Sequence, residues 1–421
     1  MTELEKRAYF LDKIMSSMKI ATGCTEPVAI ALNAATARKN VKGELKEIHV
    51  KMDMGLFRNA MTVGIPGISK RGVDVSVAVG IVAGDPDKGM DLLSTLTEAD
   101  YEKAKVLLPM IEITFNEECT SLFIETTLVT DCDSVRVTTF GAHDRIIDIS
   151  HPPFKELELA NAAVDTSIQN YTLADFIEFA NNVPLADIEP LQTGIDTNLA
   201  ASEVGKQMLM GKVLFKLTAD GMMDSSAVAE TQKTATCAAY ARMSGGVVPV
   251  MTASGSGNQG ITLYLTIAKF AMEKNIDRET TLRAVALGHM VNIYVKSYIG
   301  VLSPICSCGI AAGLGASVAI VYMLGGSEDQ MMGAMRNILG SVSGMLCDGA
   351  KEGCATKLLI AANISVLSAL MAMEGLCTSP ADGIVGDTFP KMFENLAYVA
   401  NVGMKPATKA MVDVMLAKRS K

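Results

Sequence analysis

Tryptophan is absent from the 421 residues, histidine occurs four times, and aromatic residues make up only 5% of the chain. A core of this size must then be filled by small and flexible side chains. The 27 methionines and 35 glycines, with abundant alanine, describe tightly packed helices. Blocks of lysine and arginine interleaved with aromatics are also missing, and the net charge is −9, which argues against a nucleic-acid partner. The N-terminus carries acids and leads into an amphipathic stretch, where a signal peptide would have an apolar core. The two longest apolar runs, Gly309–Leu324 and Leu358–Met373, fall short of the ~20 residues of a membrane span and are diluted by Gly, Ala, Ser or Asn. They read as buried helices, so no membrane partner is expected and the location is expected to be cytoplasmic.

Nine cysteines are present. In a reducing compartment they do not form disulfides. Four of them, Cys306, Cys308, Cys347 and Cys354, crowd into 49 residues, more than small buried hydrophobes alone account for.

Length alone predicts two domains. The first part mixes helix and strand. Residues Asp12–Lys39 read as two helices with a break at Ala21–Pro27, and Glu47–Met54 alternates apolar and polar as a half-buried strand does. Four β-rich runs, Ile111–Phe115, Leu122–Val129, Val135–Phe140 and Arg145–Ile149, predict an antiparallel meander. Beyond about Tyr171 strand signals nearly vanish. The expected fold class is an α+β N-terminal domain, with helices and a mainly antiparallel sheet, followed by an all-α C-terminal domain. The boundary falls between 155 and 170, giving domains 1–160 and 161–421.

Three segments could carry chemistry. In Ala21-Thr-Gly-Cys-Thr-Glu-Pro27, Pro27 marks a helix start with Thr25 as its N-cap, which puts Cys24 at a helix N-terminus. Unpaired N–H groups and the helix dipole favour a thiolate there, able to act as base or nucleophile; a small residue beside a cap is the plainer reading. Ser254-Gly-Ser-Gly-Asn-Gln-Gly260 follows a short apolar run and precedes a helix, a formal G-x-G-x-x-G match. No second strand ending in an acid follows, so an anion cradle built from peptide N–H groups and Ser256, Asn258 and Gln259 suits it better than a dinucleotide site. The third segment joins Cys306-Ser-Cys308 to Cys347-Asp-Gly-Ala-Lys-Glu-Gly-Cys354. Its C-x-C and C-x₆-C spacings match neither common zinc sites nor ferredoxins, and they leave the metal open. His289 and Lys296, seven apart on one helical face just upstream, are added as substrate-binding candidates against the plainer reading of a buried, hydrogen-bonded His and a surface Lys. Arg242 is a similar candidate for a carboxylate partner.

These segments, together with the stretch from His289 to Ser303, resemble in order the iron–sulfur L-cysteine desulfidases, relatives of the iron–sulfur L-serine dehydratases, over nearly the whole chain. The resemblance implies a [4Fe–4S] cluster on three cysteines with one iron open, here Cys306, Cys347 and Cys354, with Cys308 as the alternative to Cys306. Relatives more often carry Cys-Gly-Cys-Ala where this chain has Cys306-Ser-Cys308-Gly. It also implies that Cys24 is the catalytic cysteine and that the reaction is β-elimination of sulfide from L-cysteine to pyruvate, ammonia and hydrogen sulfide. The alternatives are an L-serine dehydratase of the same mechanism, a non-catalytic iron–sulfur protein, and a nicotinamide oxidoreductase built on the Gly-rich loop. A small amino acid is then the expected partner, and a homo-oligomer is left open.

Overall fold

The computed structural model describes residues 2–117, 119, 121–159, 165–300 and 303–419. The N-terminal part runs α1 (Glu3–Ser17), β1 (Ile20–Thr22), α2 (Thr25–Lys39), β2 (Leu45–Met52), α3 (Met54–Ala60), α4 (Val73–Ala83), α5 (Glu98–Ala104), β3 (Ile111–Phe115), β4 (Phe123–Thr130), β5 (Ser134–Phe140) and β6 (Ile146–Ser150). The remainder is helical except for one short strand: α6 (Leu173–Asn182), α7 (Leu185–Ile188), α8 (Leu191–Lys206), α9 (Leu209–Ala219), α10 (Ala227–Met243), β7 (Pro249–Met251), α11 (Gly257–Lys274), α12 (Arg278–Ile299), α13 (Ala311–Met323), α14 (Glu328–Val342), α15 (Cys354–Met373), α16 (Phe389–Tyr398) and α17 (Lys405–Arg419). The fold class is thus the expected α/β part, with a mostly antiparallel sheet, followed by a helical part. The expected boundary at 160/161 lies outside the described residues.

The five-stranded sheet has the order β3-β2-β4-β5-β6. Strands β4, β5 and β6 form the expected antiparallel meander, but β3 does not pair with β4. It lies parallel to β2, which sits between β3 and β4. The reason is the connection: the chain from β2 to β3 passes through α3, α4 and α5, long enough for the crossover that a parallel pair needs. One sheet face packs on α2, α3 and α4 through Ile48, Val50, Ile124, Leu128, Val135 and Val137.

The helical part is built around α12, buried along most of its length. Both chain ends cross over. Phe10 and Ile14 of α1 pack in the helical core, whereas Val412 of α17 packs in the core beneath the sheet. Helix α15 corrects an expectation. It starts at Cys354 and reaches 20 residues, long and apolar enough to cross a membrane by length and composition, with 44% of its most apolar window buried. In the structure one side of α15 (Leu358, Ala362, Ala369) is packed inside the protein, and Ile360 and Leu367 are exposed.

Candidate active site

A two-stranded antiparallel ladder sets up the site. Ile20 pairs with Met251 and Thr22 with Pro249, and Thr252 N–H donates to the Lys19 carbonyl at 2.9 Å. This joins segments more than 220 residues apart, so the turns that leave β1 and β7 lie side by side. The first turn ends on Cys24, the N-cap of α2, and the second on Ser256, the N-cap of α11. Thr25 therefore opens the helix and does not cap it. The third wall comes from the other cysteines. Ile305 bridges Leu346, and Cys347 N–H donates to the Pro304 carbonyl at 2.8 Å, which clamps the two cysteine segments together. Cys306, Ser307 and Cys308 lie two residues ahead of α13, and Cys354 opens α15.

Three helix N-termini, those of α2, α11 and α15, thus converge on one cavity, and the Cys306–Cys308 segment ahead of α13 adds a further wall. Its lining includes Cys24, Ser256, Asn258, Gln259, Cys306, Cys308, Cys347 and Cys354. The dipoles and free N–H groups of those termini make it a favourable place for negative charge. Arg58, Arg242 and Lys357 add positive side chains to the wall.

The Gly-rich loop owes its glycines to backbone conformation and to close contacts. Gly255 has φ +74°, and a Cβ on Gly257 would stand 2.6 Å from Arg242 Nε. A Cβ on Gly260 would stand 1.9 Å from the Met251 carbonyl oxygen, where helix and strand meet. Ser254, at φ 47°, holds a left-handed conformation that side chains other than glycine rarely adopt. Its hydroxyl accepts from Asn292 Nδ2 at 2.9 Å, an anchor that holds it in that conformation.

Arg242 ties two walls together. It is buried and donates to the Gly23 carbonyl at 2.7 Å and to Asn258 Oδ1 at 3.0 Å, so both Nη atoms are occupied by the protein. The thiol of Cys24 lies next to Met243 and Cys354. Burial pushes it up to about 12, opposed by the nearby Arg242. Desolvation therefore outweighs the helix N-terminus that had suggested a ready thiolate. At Cys306 the balance is reversed. The neighbouring Cys308 thiol, with peptide N–H groups of Gly309 and Cys308, holds the Cys306 thiol below its ordinary value against the effect of burial. Cys308 is pushed up in return, and its sulfur also lies 3.7 Å from Ser256 Oγ.

His289 and Lys296 are not among the described residues lining the cavity. His289 is fully buried against Tyr264, with ring centroids 5.0 Å apart, and neither ring nitrogen has a partner among the described residues. Lys296 is buried, not on the surface, because α12 is covered on nearly all sides. Its ammonium donates to the Gly300 carbonyl and, at 3.2 Å, to Ser307 Oγ, one layer behind the cavity. Burial lowers it to about 8, while Cys308, Cys347 and Cys306 oppose that shift. The cavity also holds residues not singled out from the sequence: Glu26, Arg58, Asn59, His143 and Lys357. His143, at the turn between β5 and β6, has a buried Nε2 without a partner among the described residues.

Residues 87–413 match the family described as serine dehydratase alpha chain. The chain belongs to this family. Full-length relatives include a UPF0597 protein of Caldanaerobacter subterraneus subsp. tengcongensis, 34% identical over 97% of this chain and 98% of the relative. Others come from Clostridium tetani (33% identical, 98% and 99% covered) and Aeromonas hydrophila (33% identical, 97% and 96% covered).

Membership fits a lyase, and the family is associated with iron–sulfur groups. The donor set in the cavity is compatible with such a group. Four thiols from two clamped segments are soft ligands suited to iron. Among the described residues no three His, Cys, Asp or Glu side chains stand close enough to share a single metal ion. Thiolates of a cluster each bind a different iron, so they need not meet at one point.

Proposed function

We propose that this chain is a lyase that eliminates hydrogen sulfide from L-cysteine, with Cys306, Cys347 and Cys354 holding a [4Fe–4S] cluster. One observation carries the reading: Cys24 and the four clustered cysteines line a single cavity at the N-termini of α2, α11 and α15. Cys306 is taken as the third ligand, with Cys308 as its alternative, because its peptide N–H donates to the Met345 carbonyl at 2.8 Å and so ties it directly to the Cys347 segment. When bound, the cluster supplies an open iron as Lewis acid for the leaving sulfur.

The protein's own groups supply the rest. N–H groups of the Gly-rich loop, with Ser256, Asn258 and Gln259, cradle the substrate carboxylate. Cys24 Sγ takes the Cα proton. Because burial holds its thiol near 12, the thiolate is a strong base, and its population rises with pH. Loss of H₂S from cysteine leaves aminoacrylate, and addition of one water yields pyruvate and ammonia. Lys296 acts from behind the wall by holding Ser307. Nine unpaired thiols fit a reducing cytoplasm.

The matched family name supports a second substrate, L-serine, with water as the leaving group. Anaerobic reconstitution followed by iron counting and assays of sulfide and pyruvate separates the readings. We expect close to four irons per chain and sulfide release from L-cysteine faster than pyruvate release from L-serine. The reverse preference makes the chain a serine dehydratase, and iron without turnover of either makes it a non-catalytic cluster protein. Stoichiometric zinc in place of iron refutes the cluster. Cys24→Ala should keep its iron and lose 10²- to 10⁴-fold in turnover, roughly the contribution of a positioned base.

A further inference from the structure

The cavity wall carries charges of both signs, and its negative charge makes no ion pair among the described residues. Glu26 is the one carboxylate among the described residues lining it. Among the described residues it makes no ion pair, although Arg58, Arg242 and Lys357 line the same cavity. Those cations are engaged elsewhere: Arg242 on the Gly23 carbonyl and Asn258, Arg58 on the Ser303 carbonyl, and Lys357 on Asp348. The Glu26 carboxylate is nevertheless held firmly. Asn59 Nδ2 donates to Oε1 at 3.0 Å, and the Thr25 hydroxyl donates to Oε2 at 3.3 Å. Asn59 in turn accepts from Arg58 Nε at 3.4 Å, so one amide fixes an anion on its nitrogen and a cation on its oxygen. These neutral donors orient the carboxylate without cancelling its charge, and each oxygen keeps lone pairs free for a further donor.

The dipole of α2 accounts for an acid in its first turn, but not for a carboxylate that faces the cavity on neutral donors with lone pairs to spare, which suits a ligand that brings a positive charge. We infer that Glu26 binds the α-ammonium group of the substrate, opposite the N–H groups that take its carboxylate, and so restricts the enzyme to substrates with a free, protonated α-amino group. This rests on the amino-acid reading above and adds the residue that enforces it. Thiol acids without an amine, and N-acylated cysteines, lose this contact.

The test compares two ligands on the anaerobically reconstituted full chain. L-Cysteine carries the ammonium group and 3-mercaptopropionate lacks it. In Glu26→Gln the KM for L-cysteine should rise about 10- to 100-fold, the range expected for loss of a charge-assisted hydrogen bond. Inhibition by 3-mercaptopropionate should stay within about twofold of the unaltered protein, which also shows that the site is folded. N-Acetyl-L-cysteine should be a poor ligand of the unaltered protein and no poorer in the variant. Glu26→Asp, which keeps the charge, should recover part of the affinity. An unchanged KM in Glu26→Gln overturns the inference while leaving the lyase reading intact. Equal loss of both ligands overturns it too, since Glu26 would then be a brace for Asn59. If the unaltered protein neither binds nor converts L-cysteine or L-serine, the functional reading fails and this inference with it.

Discussion

Replacing Arg242 with methionine separates what a buried charge does for folding from what it does for the site. Arg242 is buried and makes no ion pair among the described residues. Its two hydrogen bonds, at 2.7 and 3.0 Å, contribute roughly 1.5–3 kcal/mol each, or about 3–6 kcal/mol together. Against this stands desolvation of the guanidinium, several kcal/mol for an ion taken from water, with Nε left unpartnered among the described residues. The two sums nearly cancel. Methionine fills the same space without the charge but leaves the Gly23 carbonyl and Asn258 Oδ1 each short of a donor, at about 1–3 kcal/mol apiece, or about 2–6 kcal/mol together. Net stability should therefore fall by about 2–6 kcal/mol, read as a lowered urea midpoint at constant m-value. The strut between the Cys24 turn and the Gly-rich loop is lost all the same. If alignment of Cys24 with the substrate depends on even one of these bonds, about 2 kcal/mol corresponds to about 30-fold in kcat/KM. Iron content should be unchanged. An unchanged urea midpoint, or normal turnover in the folded variant, refutes this account of Arg242 as a strut.

Two further perturbations follow from the buried groups. His289 is held neutral by burial, its folded value lowered to about 3 from 6.5. A lowered value means that the unfolded chain binds the proton first, so this stability is complete above pH 6.5 and is lost as the pH falls toward 3. Between pH 7 and 5 the loss amounts to about 2 kcal/mol; His289→Phe should flatten the urea midpoint across that range, and an identical slope in the variant would show that the imidazole is not the titrating group. Among the cysteines, Cys347→Ser, Cys354→Ser and Cys306→Ser should each lose iron after anaerobic reconstitution, and Cys308→Ser should retain most of it. Iron lost from Cys308→Ser and kept in Cys306→Ser would exchange the two assignments.

What the sequence revealed and what it concealed divide along one physical line. Features set by residues near one another in the chain could be read directly: the helix break before Pro27, the meander from β4 to β6, and the glycines of the loop at Gly255–Gly260. Features set by packing between distant segments could not. The pairing of Ile20–Thr22 with Pro249–Met251 rests on two three-residue strands, too short to show a period, yet it brings Cys24 beside the Gly-rich loop. Arg58, Asn59 and His143 carry no motif of their own and enter the cavity from α3 and the turn between β5 and β6. Glu26 sat inside a recognised motif but was overlooked, because a carboxylate in the first turn of a helix already has an ordinary explanation in the helix dipole. The same preference for local cause misjudged Cys24. Helix position alone predicts a lowered thiol, and only the burial of its surroundings, a tertiary property, reverses the sign. Lys296 follows the same rule from the other side. A lysine near the end of a long helix is expected in solvent, but α12 runs through the middle of the helical part, so the ammonium is kept inside and spent on Ser307. A lysine buried at such expense behind a wall of thiols is opposed in its desolvation by Cys308, Cys347 and Cys306, of which the proposed reading makes Cys347 and Cys306 anionic.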